Sequence, residues 1–343
     1  MHPTSTMAKV AVLGAGGYLG GELLRLLGGH PEFDLAAAVS ATHAGRPLAE
    51  IYPNLPVGDG VVARPDAAGI DADVAFLAQG PGEAMKTVPE LLERGIKVVD
   101  LGPDYRLPTA AQYEAAYGRP HTDPDHLGEA VYGLPEFFAD RIRAARLVAN
   151  PGCYPTATLL ALLPLLRAGA LQGRIVVDAK SGSSGAGQGF SAATHHPEAA
   201  LTVLPYGLPA HRHVPEMLHI LGAFGDPVPP LQFVPHLVPV VRGILCSIYP
   251  TPAAGVDPAG WPELWRSAYA ASPFVRIGGL PRLPWAQGTN RCYLSFQPAA
   301  GGPVLFSALD NLGKGGAAQA IQNANLMTGV PAARGLDLAG FGV

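Results

Sequence analysis

The feature that most constrains the fold is a strand, a glycine turn and a helix near the start of the chain. The apolar run over about 9–13 predicts a buried strand, and the leucines within 23–27 give the broad apolar face of a helix. Between them lie Gly14, Gly17 and Gly20, where backbone without side chains can approach a pyrophosphate at the helix N-terminus. This arrangement predicts the first unit of a dinucleotide-binding fold.

The glycine turn supplies the first candidate cofactor residues, which are Gly14, Ala15, Gly16, Gly17, Tyr18, Leu19 and Gly20. The G-x-x-G-x-x-G spacing departs from the commoner G-x-G-x-x-G, so a turn that only eases helix–sheet packing is the alternative. After the second predicted strand, at 35–39, no acidic residue is available to hold the ribose 2′-hydroxyl of NAD. Ser40 and Thr42 lie there instead, with Arg46 further on, which favours the 2′-phosphate of NADP.

The order of predicted elements indicates two domains. Further short strands at 73–78, 97–101 and 146–149 alternate with helical stretches, so residues 1–150 are predicted to form an α/β, Rossmann-like doubly wound parallel sheet that binds NADP. Residues 151–309 are predicted to form an α+β domain with a mostly antiparallel sheet, for substrate binding, catalysis and oligomerisation. Residues 310–343 contain a predicted helix that stops at Gly329 and packs back on the first domain.

Composition excludes several classes of partner. With 23 Lys and Arg against 27 Asp and Glu, the net charge of −4 gives no basis for a nucleic-acid partner. The apolar runs are too short to span a bilayer, so no membrane partner is expected. The first seven residues lack the pattern of a signal peptide, and we expect a cytoplasmic enzyme acting on a small molecule.

Cys153 is the candidate nucleophile. It lies between a predicted strand at 146–149 and a helix that Pro155 can start, so helix N–H groups and the helix dipole would favour its thiolate. The same N–H groups could hold an oxyanion. Cys246 and Cys292 lie inside apolar runs and are expected to be buried and inert. Three cysteines without a C-x-x-C pair argue against a disulfide framework and a thiolate zinc site.

A thiolate needs an acid/base partner, and His211, His213 and Glu216 form the densest candidate cluster. Either histidine could serve, and Glu216 could orient either imidazole. A metal site is not expected, because the cluster lacks a convincing third and fourth ligand. The glycine-rich segment containing Ser181, Gly182 and Ser183 could contact an anion or the nicotinamide, or could be only a flexible turn.

Arg106 and Arg242 both follow apolar strands. Each could neutralise a carboxylate or phosphate, or could form a structural ion pair. Together with Asn150 and Ser183 they are our candidate substrate-binding residues.

Eight segments, in order and over nearly the whole chain, resemble the N-acetyl-gamma-glutamyl-phosphate reductases, relatives of the aspartate-semialdehyde dehydrogenases. The segments are GAGGYLGGELLRLL, DLGPDYRL, VYGLPE, ANPGCYPTA, SGSSGAG, HRHVPE, PHLVPVVRGI and DNLGKGGAAQAIQNANLM. The resemblance implies NADPH-dependent reduction of N-acetylglutamyl 5-phosphate to the semialdehyde in arginine biosynthesis. It also implies a Cys153 nucleophile, an acid/base histidine within HRHVPE, Asn311 near the nicotinamide, and a homodimer or homotetramer.

The chain departs from the family pattern at three places, the first of which is Ala15-Gly16 in the glycine turn, where the family has Ala-Ser or a similar pair. A Pro-His-Gly motif is missing at Gly80–Gly82, and no arginine directly follows the second strand. The alternatives are an NADP-binding regulator without turnover, a thiol acyltransferase or hydrolase, and reduction of aspartyl or aminoadipyl phosphate.

Overall fold

The computed structural model describes residues 7–56 and 60–341, which divide into two compact units. Unit 1 comprises the chain up to Pro151 together with Gly316–Asp337, and unit 2 comprises Gly152–Gly315 and the residues from Leu338 onward. The leader in which no signal peptide is expected lies, apart from Met7, outside the described residues. The chain therefore passes from unit 1 to unit 2 directly before Cys153.

Unit 1 is built on a six-stranded sheet with the order β2-β1-β3-β4-β6-β5, and all of its pairings are parallel, which confirms the predicted parallel sheet. Its strands are β1 (Ala8–Leu13), β2 (Phe33–Val39), β3 (Val74–Leu77), β4 (Lys97–Asp100), β5 (Val131–Tyr132) and β6 (Leu147–Ala149). Its first helices are α1 (Tyr18–Leu27), α2 (Leu48–Ile51), α3 (Ala84–Glu93), α4 (Ala110–Tyr117) and α5 (Pro135–Ala144).

Burial explains why these strands consist of continuous runs of apolar residues. Residues Val10–Leu13 of β1 and all of β3 are fully buried, as expected for parallel strands covered by helices on both faces. The strand order reverses between β1 and β3, so the crevice at their carboxyl ends is the place where a doubly wound sheet binds its ligand. The glycine turn lies at that crevice.

Unit 2 contains a seven-stranded mixed sheet with the order β11-β12-β13-β10-β7-β9-β8. The strands are β7 (Leu171–Ser181), β8 (Leu204–Pro205), β9 (Leu231–Leu237), β10 (Ile244–Pro252), β11 (Val275–Ile277), β12 (Cys292–Gln297) and β13 (Val304–Leu309), and the helices are α6 (Cys153–Arg167), α7 (Glu198–Leu201), α8 (His213–Gly222), α9 (Trp261–Ala268) and α10 (Leu283–Ala286). Four of the six pairings are antiparallel, which confirms the predicted α+β architecture.

Helix α6 is the centre of unit 2. Residues Tyr154–Leu166 are all buried, so the helix is apolar on every side and packs against the sheet, α8 and α9. Pro164 removes the N–H that would bond the Leu160 carbonyl, and the Tyr269 hydroxyl donates to that carbonyl at 2.5 Å instead. These contacts fix α6 in place, and with it the first turn that contains Cys153.

A last helix, α11 (Ala318–Met327), belongs to unit 1 and contacts α5 and β4. The sequence predicts helix from 310, but the regular helix begins later, because 313–317 forms a π-helical turn after Asp310 caps the Leu312 N–H. The helix ends as predicted before Gly329, which has a positive φ of 77°. Within the described residues, no helix is long and apolar enough to cross a membrane.

Candidate active site

The start of α6 places the Cys153 thiol in the first helical turn. Gly152 precedes it in extended conformation and provides no side-chain cap. Backbone N–H groups of a first turn have no partner within the helix and carry the positive end of its dipole. Pro155, which has no N–H, fits this turn without adding an unpaired donor. These features stabilise a thiolate at the position predicted for the nucleophile.

Two residues of α8 pack directly on Gly152. Glu216 has an exposure of 1% and accepts the Gly152 N–H at 2.9 Å. A Cβ added to Gly152 would lie 2.7 Å from His213 Nε2, so the imidazole occupies the space that a side chain would need. The sequence predicts that Glu216 orients an imidazole; the structure shows it holding the backbone beside the thiol.

The ring of His211 is neutral near pH 7 and is held by the backbone at the start of α8. Its Nδ1 accepts the backbone N–H of His213 at 3.2 Å, so a neutral ring carries its proton on Nε2. Burial, followed by the positive charge of Arg212, lowers the pKa of His211 to about 4. His211 is therefore neutral near pH 7 and presents an N–H donor, which makes it a poor general base.

A cavity of about 470 Å³ in unit 2 opens on the thiol. Cys153, His211 and His213 line it with Arg212, and small or apolar residues form much of the rest of its wall. The further lining residues are Tyr154, Ser181, Gly182, Gly185, Ala186, Ser191, Ala193, Thr194, Leu204, Tyr206, Gly207, Ala210 and Leu237. The Tyr154 and Tyr206 hydroxyls lie 3.0 Å apart. The predicted nucleophile and both predicted acid/base histidines are thus brought together.

The glycine-rich segment after β7 is an ordered 3-10 turn over Ser183–Ala186. The N–H groups of Gly182, Ser183 and Ser184 donate to carbonyls within 240–243 at 2.9–3.0 Å. These N–H groups are therefore engaged with the protein, and a ligand contact would rest on the side-chain hydroxyls. Ser181 and Gly182 line the cavity of Cys153.

Arg242 and Asn311 are held by structural partners. The Arg242 guanidinium lies 2.6 Å from a carboxylate oxygen of Asp310, which has no exposed surface. Asn311 accepts the Gly243 N–H at 2.7 Å and donates to Ser184 Oγ at 2.9 Å. The roles predicted for them, toward substrate and nicotinamide, remain predictions.

In unit 1 the glycine turn is shaped by close backbone approach. Gly14 has a φ of 84°, and a Cβ there would strike the Ala78 carbonyl after β3. A Cβ on Gly20 would strike the Gly14 carbonyl. Only glycine fits both positions, and Gly17 is the N-cap of α1. Gly16 and Gly17 add no side chain directly before the N-terminus of α1, which suits a pyrophosphate.

The end of β2 packs on Gly16. A Cβ on Gly16 would lie 2.6 Å from Ser40 Oγ and 3.0 Å from His43 Cδ2. The Ser40 and Thr42 hydroxyls lie 3.2 Å apart. In dinucleotide-binding folds the adenosine ribose is held at the end of the second strand. The side chains here supply hydroxyl donors and no carboxylate, so they fit NADP, the cofactor predicted from the sequence.

Arg106 and Asn150 are buried and bonded within unit 1. Arg106 donates to the carbonyls of Asn150 at 2.8 Å and Leu101 at 2.7 Å. The Asn150 amide donates to the Gly316 carbonyl at 3.3 Å and accepts from Asn323 at 3.0 Å. Both residues hold the segment that leads into Cys153, and their predicted contact with substrate remains a prediction.

Another buried carboxylate occupies the region of the missing Pro-His-Gly motif. Gly82 donates its N–H to both carboxylate oxygens of Asp104, at 2.9 and 3.0 Å. Asp104 also accepts the Ala84 N–H at 3.1 Å, and so caps the start of α3.

Sequence reasoning missed three residues near these sites. Tyr52 donates its hydroxyl to the Ala15 carbonyl at 2.7 Å and so fixes the glycine turn. A Cβ on Gly315 would lie 2.8 Å from the Cβ of Cys153, so the π-helical turn packs closely against Cys153. Arg212 lines the cavity. Only Arg212 carried a signal, since it lies between the two candidate histidines.

The other cysteines are buried. Cys246 and Cys292 have no exposed surface, and burial raises the pKa of the Cys246 thiol well above its usual range. Within residues 7–56 and 60–341, no group of three or more His, Cys, Asp or Glu residues is arranged to hold a metal ion.

Comparison with known proteins gives consistent matches over both units. Residues 9–145 match a family model described as semialdehyde dehydrogenase, NAD binding domain, and residues 153–311 match semialdehyde dehydrogenase, dimerisation domain. Curated proteins named N-acetyl-gamma-glutamyl-phosphate reductase are similar over nearly their full length. That of Desulforudis audaxviator is 44% identical, covering 98% of this chain and 99% of its own, and that of Methanopyrus kandleri is 43% identical with the same coverage.

Solved structures share the fold at lower identity. Aspartate semialdehyde dehydrogenase II from Vibrio cholerae, complexed with ASA, has a TM-score of 0.71 at 19% identity and covers 94% of this chain and 99% of its own. Aspartate semialdehyde dehydrogenase from Candida albicans, solved with NADP, has a TM-score of 0.65 at 15% identity, with the same coverage.

Proposed function

This chain belongs to the N-acetyl-gamma-glutamyl-phosphate reductase family of semialdehyde dehydrogenases, and we propose that it reduces N-acetyl-L-glutamyl 5-phosphate with NADPH. The products are N-acetyl-L-glutamate 5-semialdehyde, phosphate and NADP, and the step belongs to arginine biosynthesis. The observation that supports this most is the Cys153 thiol at the start of α6, with His213 packed on the preceding residue.

The first step forms a thioester on Cys153. The thiolate attacks the acyl carbon, a C–S bond forms, and the C–O bond to phosphate breaks, so that phosphate leaves with its electron pair. N–H groups at the start of α6 can stabilise the oxyanion that forms during attack. Phosphate is a good leaving group because its negative charge is shared among its oxygens, and it takes up a proton from water once it is released.

Residues of unit 1 hold the cofactor in this proposal. Gly14, Gly17 and Gly20 leave room for the pyrophosphate, and Ser40 and Thr42 supply hydroxyls for the 2′-phosphate. When bound, NADPH supplies the hydride that reduces the thioester carbon.

His213 is the acid/base residue of the proposal, because His211 is already neutral near pH 7 and its Nδ1 is occupied. His213 protonates the thiohemiacetal oxygen formed on Cys153. It then removes the proton from the same hydroxyl as the C–S bond breaks and the aldehyde leaves. Glu216 keeps Gly152, and with it the thiol, in place during both steps.

The apolar wall of the cavity suits the rest of the substrate. Ala186, Ala193 and Leu204 can contact the acetyl methyl group and the methylene chain, which carry no polar atom. We further propose that the enzyme acts in the cytoplasm as a homodimer or homotetramer. The match of 153–311 to a dimerisation domain supports association.

The test is reduction of NADP by purified protein with N-acetylglutamate semialdehyde, with and without phosphate, beside aspartate semialdehyde. We expect phosphate-dependent turnover of the acetylated substrate, lost in Cys153→Ser and retained in the matched control Cys246→Ser. Turnover with aspartate semialdehyde alone would contradict the proposed substrate. Equal turnover by Cys153→Ser would contradict the thioester.

A further inference from the structure

The cavity beside Cys153 contains one side chain of permanent charge among its described lining residues, Arg212. The other polar groups of the wall are hydroxyls, the thiol and the two histidines. Arg212 is exposed and precedes α8, so its guanidinium lies at the rim. Its positive charge also contributes, after burial, to lowering the pKa of His211, which lines the same cavity.

Arg212 also has no competing anion in the described part of the chain. No carboxylate there lies within ion-pair distance of its guanidinium, whereas Arg242 is paired with Asp310 and Arg106 is bonded to backbone carbonyls. An unpaired arginine at the rim of a mostly apolar cavity is typical of a site for an anionic ligand group, because its planar fork matches a carboxylate.

We propose that Arg212 binds the α-carboxylate of the substrate, an inference that rests on the proposed function. The substrate carries two anionic groups. Its phosphate is attached to the carbon that Cys153 attacks, and so it lies by the start of α6. The α-carboxylate lies four bonds from that carbon, a distance that suits the long side chain at the rim.

This role predicts a particular kinetic effect. The α-carboxylate is present in the acyl phosphate, in the thioester and in the aldehyde, so Arg212 contributes equally to ground state and transition state. Its loss should raise KM and leave kcat nearly unchanged. A residue that acted on the phosphate would instead change the KM for phosphate in the oxidative direction.

The experiment compares two aldehydes, N-acetylglutamate semialdehyde and 4-acetamidobutanal, which has hydrogen in place of the α-carboxylate. We expect Arg212→Gln to lower kcat/KM for the first by about tenfold to a hundredfold, the loss of one charge-assisted pair. The second should change by less than about twofold, and so should the KM for phosphate. Arg212→Lys should recover part of the loss. Arg167→Gln, at the far end of α6, is the matched control and should behave as wild type.

A readout without turnover separates binding from chemistry. N-acetylglutamate should protect Cys153 from iodoacetamide in the wild type and much less in Arg212→Gln. An equal loss of kcat/KM on both aldehydes, or a rise only in the KM for phosphate, would overturn the inference. Absence of wild-type turnover with the acetylated aldehyde would contradict the proposed function itself.

Discussion

Gly152→Ala tests the proposed acid/base role of His213 with a single methyl group. Gly152 has φ −63° and ψ 155°, which alanine adopts without strain, so the substitution acts only through the space that it fills. The added Cβ would lie 2.7 Å from His213 Nε2, and ordinary contacts begin near 3.4 Å. The imidazole must therefore move by about 0.7 Å, since the three heavy atoms nearest to the new Cβ all belong to the His213 ring.

A displacement of this size in a proton-transfer group costs about tenfold to a hundredfold in rate. We expect kcat of Gly152→Ala to fall by that factor. We expect little change in the midpoint of thermal unfolding, because alanine at a compatible backbone position stabilises a protein by about 0.4–1 kcal/mol and offsets the crowding. The assay is phosphate-dependent NADP reduction at saturating substrate, with unfolding followed by circular dichroism.

Two controls complete this experiment. Gly301→Ala, where an added Cβ meets no atom within 4 Å, should keep wild-type kcat. The double variant Gly152→Ala/His213→Gln should be no slower than His213→Gln alone, because both changes affect one group. Wild-type kcat in Gly152→Ala, or full additivity in the double variant, would refute the reasoning.

Three other substitutions test separate parts of the structure. Tyr52→Phe removes the hydrogen bond to Ala15, worth about 0.5–1.5 kcal/mol, and should weaken NADPH binding about two- to tenfold with kcat unchanged. Fluorescence titration measures the affinity for NADPH, and an unchanged affinity would count against a positioning role for Tyr52. Burial, followed by the charge of Asp104, raises the pKa of Asp100 to about 7, above the unfolded value near 4, so the free energy of unfolding should fall as pH rises from about 4 to 7. Urea unfolding should show a smaller fall for Asp100→Asn, and the same dependence of the unfolding free energy on pH in both proteins would contradict this. Arg242→Met leaves a buried carboxylate without its cation and should destabilise the protein by about 3 kcal/mol in urea; intact stability with a raised KM would favour a substrate role instead.

Local patterns predicted much of the fold. The strand, glycine turn and helix at the start of the chain depend on neighbouring residues, so their sequence is sufficient to recognise them. The candidate nucleophile was predicted in the same way, because Cys153 lies between a strand and a helix that tolerates Pro155. The 310–317 segment was predicted wrongly as regular helix, since its conformation depends on the distant Thr289 carbonyl, which approaches Gly313.

The partners of the site residues could not be predicted, because they join segments far apart in sequence. Glu216 is 64 residues from Gly152, and nothing in its local sequence indicates that it accepts a backbone N–H there. Arg242 is 68 residues from Asp310, and the sequence left a structural ion pair and a substrate contact equally open. The protonation state of His211 could not be predicted either, because its ring is neutral as a result of burial in the folded chain.

The central claim is that Cys153 carries the acyl group during turnover. The most direct test incubates the protein with N-acetylglutamate semialdehyde and NADP without phosphate, quenches in acid and maps the peptides by mass spectrometry. The account predicts one N-acetylglutamyl group on the peptide of Cys153, none on those of Cys246 and Cys292, and its loss when phosphate is added before the quench. A protein that reduces NADP with this aldehyde when phosphate is present, but carries no acyl group on Cys153 after the phosphate-free incubation, would contradict it.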